Sequence, residues 1–311
     1  MIKLREATES EKAGWLDDWS ARLQSWYTKP DVPAEWAERQ IQQRLGRYQL
    51  TDLVAATAVT LAITAGDDLV GLVAIAAPDE RAAGTAVISD VWVAEPHRRQ
   101  GYARQAVRLA EDWARDHDAV RVMVGTDPAQ PSHAALFSRY PIRAIQMIKR
   151  LAPPVTLPDG VSARPMTPAE FDTWREHTVR DYAAQMAASG AVPDAQAATE
   201  AARQFEELLP DGLASANQTL LSLIAGGEQV AMNWIGHRYG PATSWVYDVV
   251  VGEGYRGQGY GRPAMLIGEQ ATLAAGDTHL GLNVFGQNSV AIHLYESLGY
   301  RAYDHARSLD L

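Results

Sequence analysis

The pattern of apolar and polar positions predicts the same opening elements twice along the chain. Alternating apolar residues over Ile2–Arg5 predict a strand, and Thr8 then begins a helix with Glu11 three residues later. This spacing is that of a capping box, in which each of the two side chains accepts a hydrogen bond from the other residue's backbone N–H. The same strand, threonine and glutamate return at Val161–Arg164, Thr167 and Glu170.

Each half continues with one more helical region and a hairpin. The periodic apolar positions predict helices at about Ala34–Leu45 and Ala195–Leu208. Apolar runs separated by Gly66-Asp67 and Gly226-Gly227 predict paired strands at Val59–Thr64, Asp68–Ala76, Leu220–Ala225 and Gln229–His237. A strong strand, a glycine-rich turn, a long helix, a strand, a short helix and a last strand follow. This order predicts α+β domains, each with a mixed, mostly antiparallel central sheet flanked by helices.

The two halves also share their residues at nearly constant spacing. The stretch from Asp90 to Ala103 returns from Asp248 to Gly261, 158 positions later and without a gap. Further matches lie 158 to 160 positions apart, among them Leu136-Phe137 with Leu294-Tyr295, Trp15 with Trp174, and Leu61 with Leu221. Chance does not hold an offset within two residues over such a span. The chain therefore contains two copies of one domain.

A stiff segment separates the copies. Three prolines and a glycine lie between Leu151 and Gly160, where neither a helix nor a central strand can continue. We therefore expect an N-terminal domain over residues 1–152, a linker over 153–160, and a C-terminal domain over 161–311.

Composition narrows the classes of function. The chain of 311 residues has 47% hydrophobic and 21% charged residues, as an ordinary globular protein does. It has no cysteine, which excludes disulfides, thiolate metal sites and cysteine nucleophiles. No apolar run approaches the roughly 20 residues of a membrane span, and no secretory leader is evident, so we expect a cytoplasmic protein. The net charge of −10 argues against a nucleic-acid or anionic-membrane partner.

The glycine-rich turn of the second copy is suited to hold a phosphate group. The strand that ends with Val249–Val251 leads into a loop closed by Gly259-Tyr-Gly261, and a helix opens at about Gly261. Backbone N–H groups at a helix N-terminus attract phosphate. A P-loop is excluded because no lysine lies nearby, and a dinucleotide-binding turn is disfavoured because no acidic residue ends the next strand, Leu280–Phe285. Both copies instead carry Arg-x-x-Gly-x-Gly/Ala, beginning at Arg98 and at Arg256.

With these two loops, the chain resembles the GNAT superfamily of N-acetyltransferases, once in each half. The downstream segment strengthens the resemblance, because Asn288, Tyr295 and Gly299-Tyr300 follow the superfamily's Asn…Tyr…Gly-Phe/Tyr pattern. The resemblance implies acetyl-CoA as cosubstrate and no metal. It implies cofactor-binding residues Val249, Val250, Val251, Arg256, Gly257, Gln258, Gly259, Tyr260, Gly261 and Asn288. It also implies a second possible set at Val91, Val93, Arg98, Arg99, Gln100, Gly101, Tyr102 and Ala103.

The implied reaction, attack of an amine on a thioester, sets the search for catalytic residues. Only about one alkylamine in a thousand is unprotonated at pH 7, so a base contributes substantially. Asp248 lies at the position where the superfamily often carries an acidic residue, and His237 and His293 are the alternatives. Tyr295 matches the tyrosine that the superfamily often uses to protonate the leaving thiol. Its other interpretation is an aromatic residue of the core.

The first copy departs from the pattern where the acid should be. Gln130 replaces Asn288, Phe137 replaces Tyr295, and Pro141 falls where Gly299 stands. Phenylalanine has no proton to donate, and Tyr140 lies on a different part of the helix. We therefore expect the N-terminal domain to be catalytically degenerate and either to bind CoA or only to support the fold.

Three functions remain open at this stage. The first is acetyl-CoA-dependent N-acetylation of a primary amine, with a small-molecule acceptor, in the C-terminal domain. The second is acetylation of a protein lysine or N-terminus, and the third is a non-catalytic CoA-binding or scaffold protein. We expect the helical segment Ala191–Leu209 to form a wall of the acceptor site. Side chains that could line that site or belong to the core are Trp234, Trp245, Tyr182 and Met186.

Overall fold

The fold is described from a computed structural model, which describes residues 2–29, 31–49, 57–78, 84–189 and 194–311. Two compact units are present. Unit 1 comprises residues 1–146, 284–288 and 302–311, and unit 2 comprises residues 147–283 and 289–301.

The elements of the first half follow the predicted order. In chain order they are β1 (Ile2–Glu6), α1 (Glu9–Tyr27), α2 (Ala34–Gln49), β2 (Ala58–Ala65), β3 (Asp68–Ala76), β4 (Thr85–Val93), α3 (Tyr102–Arg115), β5 (Arg121–Thr126), α4 (Pro131–Leu136) and β6 (Ile142–Arg150).

The second half repeats that series with small differences in length. Its elements are β7 (Val161–Pro165), α5 (Pro168–Ser189), α6 (Asp194–Leu208), β8 (Gln218–Ala225), β9 (Glu228–Gly240), β10 (Thr243–Val251), α7 (Gly261–Ala274), β11 (His279–Phe285), α8 (Ser289–Ser297) and β12 (Arg301–Asp310). Within the described chain, none of the helices is long and apolar enough to cross a membrane.

Both predicted capping boxes are confirmed. The N–H of Thr8 donates to the Glu11 carboxylate at 2.8 Å, and the N–H of Glu11 donates to the Thr8 hydroxyl at 3.4 Å. The Thr167–Glu170 pair repeats both distances. The guanidinium of Arg5 reinforces the first capping box by binding the Glu11 carboxylate at 2.6 Å. This contact is the largest of the causes that lower the pKa of Glu11 to about 2. The start of the first long helix in each unit is therefore set by local residues.

The sheets are mixed and mostly antiparallel, as predicted. In unit 1 the strands β1, β2, β3 and β4 pair antiparallel in sequence, and β4 pairs parallel to β5. In unit 2 the strands β7 to β10 pair antiparallel in the same way, and β10 pairs parallel to β11. The long helices α3 and α7 cover these sheets with small buried residues, including Ala110 and Ala264.

The last strand of the chain belongs to the first unit. In β12, His305–Asp310 pairs antiparallel with Arg121–Thr126 of β5. Unit 2 instead includes residues 147–150, which form the end of β6. The N–H of the adjoining Leu151 donates to the Thr278 carbonyl at 2.9 Å. The units therefore differ from the linear halves 1–152 and 161–311 expected from the repeat. Strand pairing depends on which edge a strand reaches, and the sequence repeat carries no information about that edge.

Candidate active site

In unit 2, a strand edge opens in front of the glycine-rich loop. The parallel pairing of β10 with β11 covers only Thr243–Val246, and the register of β10 shifts between Val246 and Asp248. Beyond this bulge, Val249–Val251 pairs with β9 on the other side, and no pairing with β11 is formed in the described residues. The bulge leaves backbone groups of Val249–Val251 available to an extended ligand. In unit 1, the pairing of β4 with β5 likewise stops at Ile88.

The loop that follows is held by its own residues and leaves space over the helix N-terminus. Arg256 donates through Nε to the Val251 carbonyl at 3.4 Å, and the Gln258 amide donates to the Gly254 carbonyl at 2.9 Å. Gly259 has a φ of 87°, where other residues are strained. A Cβ added at Gly259 would meet no atom within 4 Å. The glycine is therefore favoured by the backbone conformation, and the space beside it is open.

The loop of unit 1 has the same geometry. Arg98 donates through Nε to the Val93 carbonyl at 2.9 Å, and the Gln100 amide donates to the Pro96 carbonyl at 3.4 Å. The backbone has positive φ at the matched positions, with Arg99 at 66° and Gly101 at 83° against Gly257 at 75° and Gly259 at 87°. The predicted second set of residues thus lies in the same arrangement as the first, next to the open strand edge that carries Val91 and Val93.

Asp248, the candidate base, lies on the register shift of β10 with neutral hydrogen-bond donors. Its Oδ2 accepts from Trp174 Nε1 at 2.9 Å and from Thr178 Oγ1 at 3.4 Å. Burial raises the pKa of Asp248, the two hydrogen bonds oppose the shift, and the negative charge of Asp181 adds to it. The result is a partly buried carboxylate whose affinity for a proton is above that of an ordinary aspartate.

The equivalent aspartate of unit 1 is paired with a cation. Asp90 accepts from Trp15 Nε1 at 2.8 Å, which repeats the bond between Trp174 and Asp248. It also accepts both terminal nitrogens of Arg22, at 2.7 and 2.8 Å. Such a bidentate pair holds the carboxylate and the guanidinium in one geometry. The two copies therefore share an aspartate and its indole donor, but differ in the charge that faces the aspartate.

Tyr295, the candidate acid, is positioned by the end of its helix. Gly299 has a φ of 91° and donates its N–H to the Glu296 carbonyl at 2.9 Å, while the N–H of Tyr300 donates to the Tyr295 carbonyl at 3.0 Å. These two bonds form a Schellman motif, which confirms Gly299 as the residue that terminates the helix. Tyr295 is 7% exposed. Burial first, and then the charge of Asp248, raises its pKa to about 12, so the two candidates influence each other.

Asn288 directly precedes α8, at the predicted N-cap position. Its N–H donates to the Phe285 carbonyl at 2.9 Å. The segment 284–288 groups with unit 1, whereas Tyr295 groups with unit 2. A role for Asn288 in cofactor binding therefore stays a prediction.

The first copy has no hydroxyl at the acid position. Phe137 is buried in the core of unit 1, and α4 ends at Leu136, three residues before the point equivalent to the end of α8. Tyr140 is 1% exposed, and its hydroxyl donates to the buried carboxylate of Glu111 at 3.0 Å. Tyr140 therefore has a structural role within this unit and does not replace the missing acid.

The two histidine alternatives are placed less favourably than Asp248. Both ring nitrogens of His237 are engaged, Nε2 with Thr219 Oγ1 at 2.8 Å and Nδ1 with Ser244 Oγ at 2.9 Å. Burial lowers the pKa of His237, which weakens it further as a proton acceptor. His293 is exposed on α8.

The sequence analysis missed the residues of α5 that surround Asp248. Trp174, Thr178 and Asp181 lie about one and two helical turns apart and therefore share one face of α5. The repeat contained a signal for these residues. Trp15 aligns with Trp174 at an offset of 159, and the same offset aligns Arg22 with Asp181. A change of charge at matched positions of a repeat indicates a change of electrostatic role.

The other side chains expected near the acceptor take part in packing within unit 2. Trp234 stacks on Tyr247 with 4.7 Å between ring centroids, and Trp245 stacks on Tyr239 with 4.8 Å. The Tyr182 hydroxyl donates to Gln204 at 2.8 Å, and Met186 is buried between α5 and α6. Of the segment expected to form the acceptor wall, residues 191–193 lie outside the described part of the chain.

Comparison with known proteins settles the family. The model of the acetyltransferase (GNAT) family matches residues 16–139 and 177–300, once in each half. The chain belongs to the GNAT family. It is an acetyl-transferring enzyme with tandem GNAT domains, as the sequence predicted, and its family uses acetyl-CoA as cosubstrate.

Three relatives illustrate the match. The GNAT chain is 30% identical over 144 residues to the uncharacterized N-acetyltransferase YycN of Bacillus subtilis, covering 45% of this chain and 92% of YycN. It is 28% identical over 254 residues to a mycothiol acetyltransferase of Pseudarthrobacter chlorophenolicus, covering 77% and 73% of the two chains. A GCN5-related N-acetyltransferase structure from Sphaerobacter thermophilus aligns with a TM-score of 0.52 at 17% identity, over 99% of this chain and 95% of that one. This structural match shows the fold alone.

Proposed function

We propose that this enzyme transfers the acetyl group of acetyl-CoA to the primary amine of a small molecule, and that the reaction takes place in unit 2. The observation that carries the proposal is the contrast between the two equivalent aspartates. Asp248 is partly buried with neutral donors and a raised pKa, whereas Asp90 forms a bidentate ion pair with the Arg22 guanidinium. A proton acceptor works best when its pKa approaches the working pH, so Asp248 is the better base.

Acetyl-CoA supplies the activated acetyl thioester. The open edge of Val249–Val251 would bind its extended arm, and the loop Arg256–Gly261 would bind its pyrophosphate. The positive φ at Gly259 and the open space beside it fit that group. The matching loop of unit 1 is a second possible binding site with no complete acceptor chemistry beside it.

The proposed proton transfers involve Asp248 and Tyr295. Asp248 accepts a proton from the acceptor ammonium, which frees the nitrogen lone pair to form the new amide bond. As the carbon–sulfur bond breaks, Tyr295 donates its hydroxyl proton to the leaving sulfur. With a pKa raised to about 12, Tyr295 holds that proton throughout the neutral range. The attacking nitrogen releases its second proton to water as the amide forms. The products are an amide, a free thiol and, in net, one proton, once Asp248 has released its proton to water and Tyr295 has regained one from water.

A small-molecule acceptor is supported by a relative. The mycothiol acetyltransferase of Pseudarthrobacter chlorophenolicus matches 77% of this chain, across parts of both halves. Acetylation of a protein amine remains the alternative, and the acceptor screen includes lysine peptides to distinguish the two.

The test is thiol release from acetyl-CoA with a panel of primary amines and lysine peptides. We expect Asp248→Asn to lower kcat/KM by about 10²- to 10⁴-fold, the usual contribution of a general base. Tyr295→Phe should lower kcat, and by less, because a thiolate already leaves readily. The matched control Asp90→Asn should retain turnover per folded molecule. Wild-type turnover by Asp248→Asn would contradict the proposal, and wild-type turnover by Tyr295→Phe would contradict the role of Tyr295.

A further inference from the structure

Arg22 and Asp181 occupy the same position in the two copies and carry opposite charges. Each lies seven residues, about two helical turns, after the tryptophan that donates to the strand aspartate. In unit 1 the side chain at this position reaches the aspartate directly, as the two bonds from Arg22 to Asp90 demonstrate. The position therefore controls what charge faces the carboxylate.

Unit 1 shows that a planar cation fits against this carboxylate. The Arg22 side chain is 36% exposed, while the Asp90 side chain is 9% exposed, so the cation comes from the solvent side of the carboxylate. Asp18, one helical turn earlier, binds the same guanidinium at 2.7 Å. The bound cation thus lies between two carboxylates, one behind it on the strand and one nearer the solvent on α1.

Unit 2 keeps the carboxylate and has no cation at this position. Asp181 is exposed on the face of α5 that carries Trp174 and Thr178, both of which donate to Asp248. Its negative charge is among the causes that raise the pKa of Asp248, which agrees with its position on this face. Unit 2 therefore has an inner carboxylate at Asp248 and an outer carboxylate at Asp181, the position that Arg22 occupies in unit 1, while His177 stands where unit 1 has Asp18.

We propose that Asp181 and Asp248 together form the binding site for the ammonium group of the acceptor, so that Asp181 determines specificity and Arg22 closes the equivalent site of unit 1 with the chain's own cation. This inference rests on the proposed function. The substrate class that fits is a primary alkylamine that is cationic at neutral pH and bears no carboxylate or phosphate beside the amine. An anionic group there would meet two like charges.

Kinetics with matched acceptors test the role of Asp181. For a cationic alkylamine from the active panel, we expect Asp181→Asn to raise KM about tenfold, with kcat changed less than threefold. For an arylamine such as aniline, which is uncharged at pH 7, the same variant should leave KM within about twofold. High salt should reduce the difference between wild type and Asp181→Asn, because exposed charges are screened. Affinity for acetyl-CoA, measured by calorimetry, should be unchanged.

Charge reversal gives a second test, whose stability measurement needs no known acceptor. Asp181→Arg should reproduce the ion pair of unit 1, raise the melting temperature, and reduce acetyl transfer at least a hundredfold. The gain in melting temperature should disappear when Asp248→Asn is present as well. The control is Glu176→Arg, which makes the same charge change on the same helix about 140° around its axis. We expect it to have neither effect.

Two outcomes would overturn the inference. One is an unchanged KM for the cationic amine in Asp181→Asn, or an equal rise for the uncharged amine. The other is a stability gain in Asp181→Arg that persists without the Asp248 carboxylate. Failure of the inference can be distinguished from failure of the proposed function. Normal turnover in Asp248→Asn rejects the proposed function. An inactive Asp248→Asn, combined with either outcome above, rejects only the role of Asp181.

Discussion

At the scale of single residues, both copies place an aspartate at the register shift of the same strand, and the tryptophan donor is conserved between them. The difference lies in one neighbour. Arg22 forms a bidentate ion pair with Asp90, whereas burial and Asp181 disfavour the charged form of Asp248. A group whose ionised form is disfavoured by the fold opposes folding when it is ionised. The stability of the two units should therefore respond in opposite ways to removal of these charges.

The first prediction concerns this opposition. Asp248→Asn should leave the melting temperature unchanged or raise it by a few degrees, because it removes a poorly solvated charge and retains an acceptor oxygen. Asp90→Asn should lower stability by about 1–3 kcal/mol, less than a fully buried pair because Arg22 is partly exposed. Thermal unfolding of both variants at pH 7 measures this. A loss of stability in Asp248→Asn equal to that in Asp90→Asn would contradict it.

A second prediction follows from the raised pKa of Asp248. In the folded state Asp248 keeps its proton to a higher pH than in the unfolded state, so the fold binds more protons within that window. Stability of the wild type relative to Asp248→Asn should therefore be greatest below the unfolded pKa, near 4, and should fall as pH rises through the folded pKa. Parallel pH profiles of unfolding free energy for the two proteins measure the difference. A difference that grows with pH would show that the sign is wrong.

The same shift predicts the acid side of the activity profile. Turnover should fall as Asp248 becomes protonated, at a pH above that of an ordinary aspartate. Asp181→Asn should move this limb to lower pH, because one cause of the raised pKa is removed. The measurement is kcat/KM against pH with a cationic amine. An identical limb in both proteins would exclude electrostatic coupling between the two aspartates.

At the scale of elements, both units have an open strand edge followed by a loop and a helix. The strand and helix are β4 and α3 in unit 1, and β10 and α7 in unit 2. Only unit 2 adds a complete helix α8, whose end at Gly299 fixes Tyr295. In unit 1 the shorter helix α4 ends at Leu136, and the next residue is Phe137. The cofactor-type elements are thus duplicated, whereas the helix that carries the proposed acid is complete only in unit 2.

The loops give a fourth prediction, in which each copy serves as the control of the other. Gly259→Glu places a carboxylate in the open space over the α7 N-terminus, where it would repel a phosphate, and should abolish turnover. Gly101→Glu makes the same change in unit 1 and should retain turnover. Calorimetric titration with acetyl-CoA and thiol release are measured for both. Loss of turnover only in Gly101→Glu would place the reaction in unit 1.

At the scale of the whole molecule, the assignment of β12 to unit 1 links the end of the chain to the stability of the first half. The pairing of His305–Asp310 with β5 supplies that unit with a sheet strand, and the buried Tyr303 precedes it. The aromatic Trp26 donates from Nε1 to the Tyr303 carbonyl at 2.7 Å, which attaches the strand to α1 of the same unit. Removal of this segment should therefore affect the unit that is distant in sequence.

A fifth prediction tests the assignment of β12 to unit 1. Ending the chain at Ala302 should expose the β5 backbone and greatly reduce the hydrogen-exchange protection of Arg121–Thr126. Protection in the β8–β9 hairpin of unit 2 should change less. Mass-spectrometric hydrogen exchange of the full and shortened chains measures both. If the hairpin of unit 2 lost protection and β5 kept it, β12 would complete unit 2 instead.

The sequence by itself determined the order of elements, the capping boxes, the duplication and the loss of a hydroxyl at Phe137. Each of these depends on residues close together in the chain or on a comparison between copies, and local patterns encode them directly. Only the tertiary structure decided that β12 belongs to unit 1 and that Arg22 neutralises Asp90. Those outcomes join residues 68 or more positions apart, and they depend on which helix face meets which strand. Packing across such distances leaves no periodic signal in the sequence.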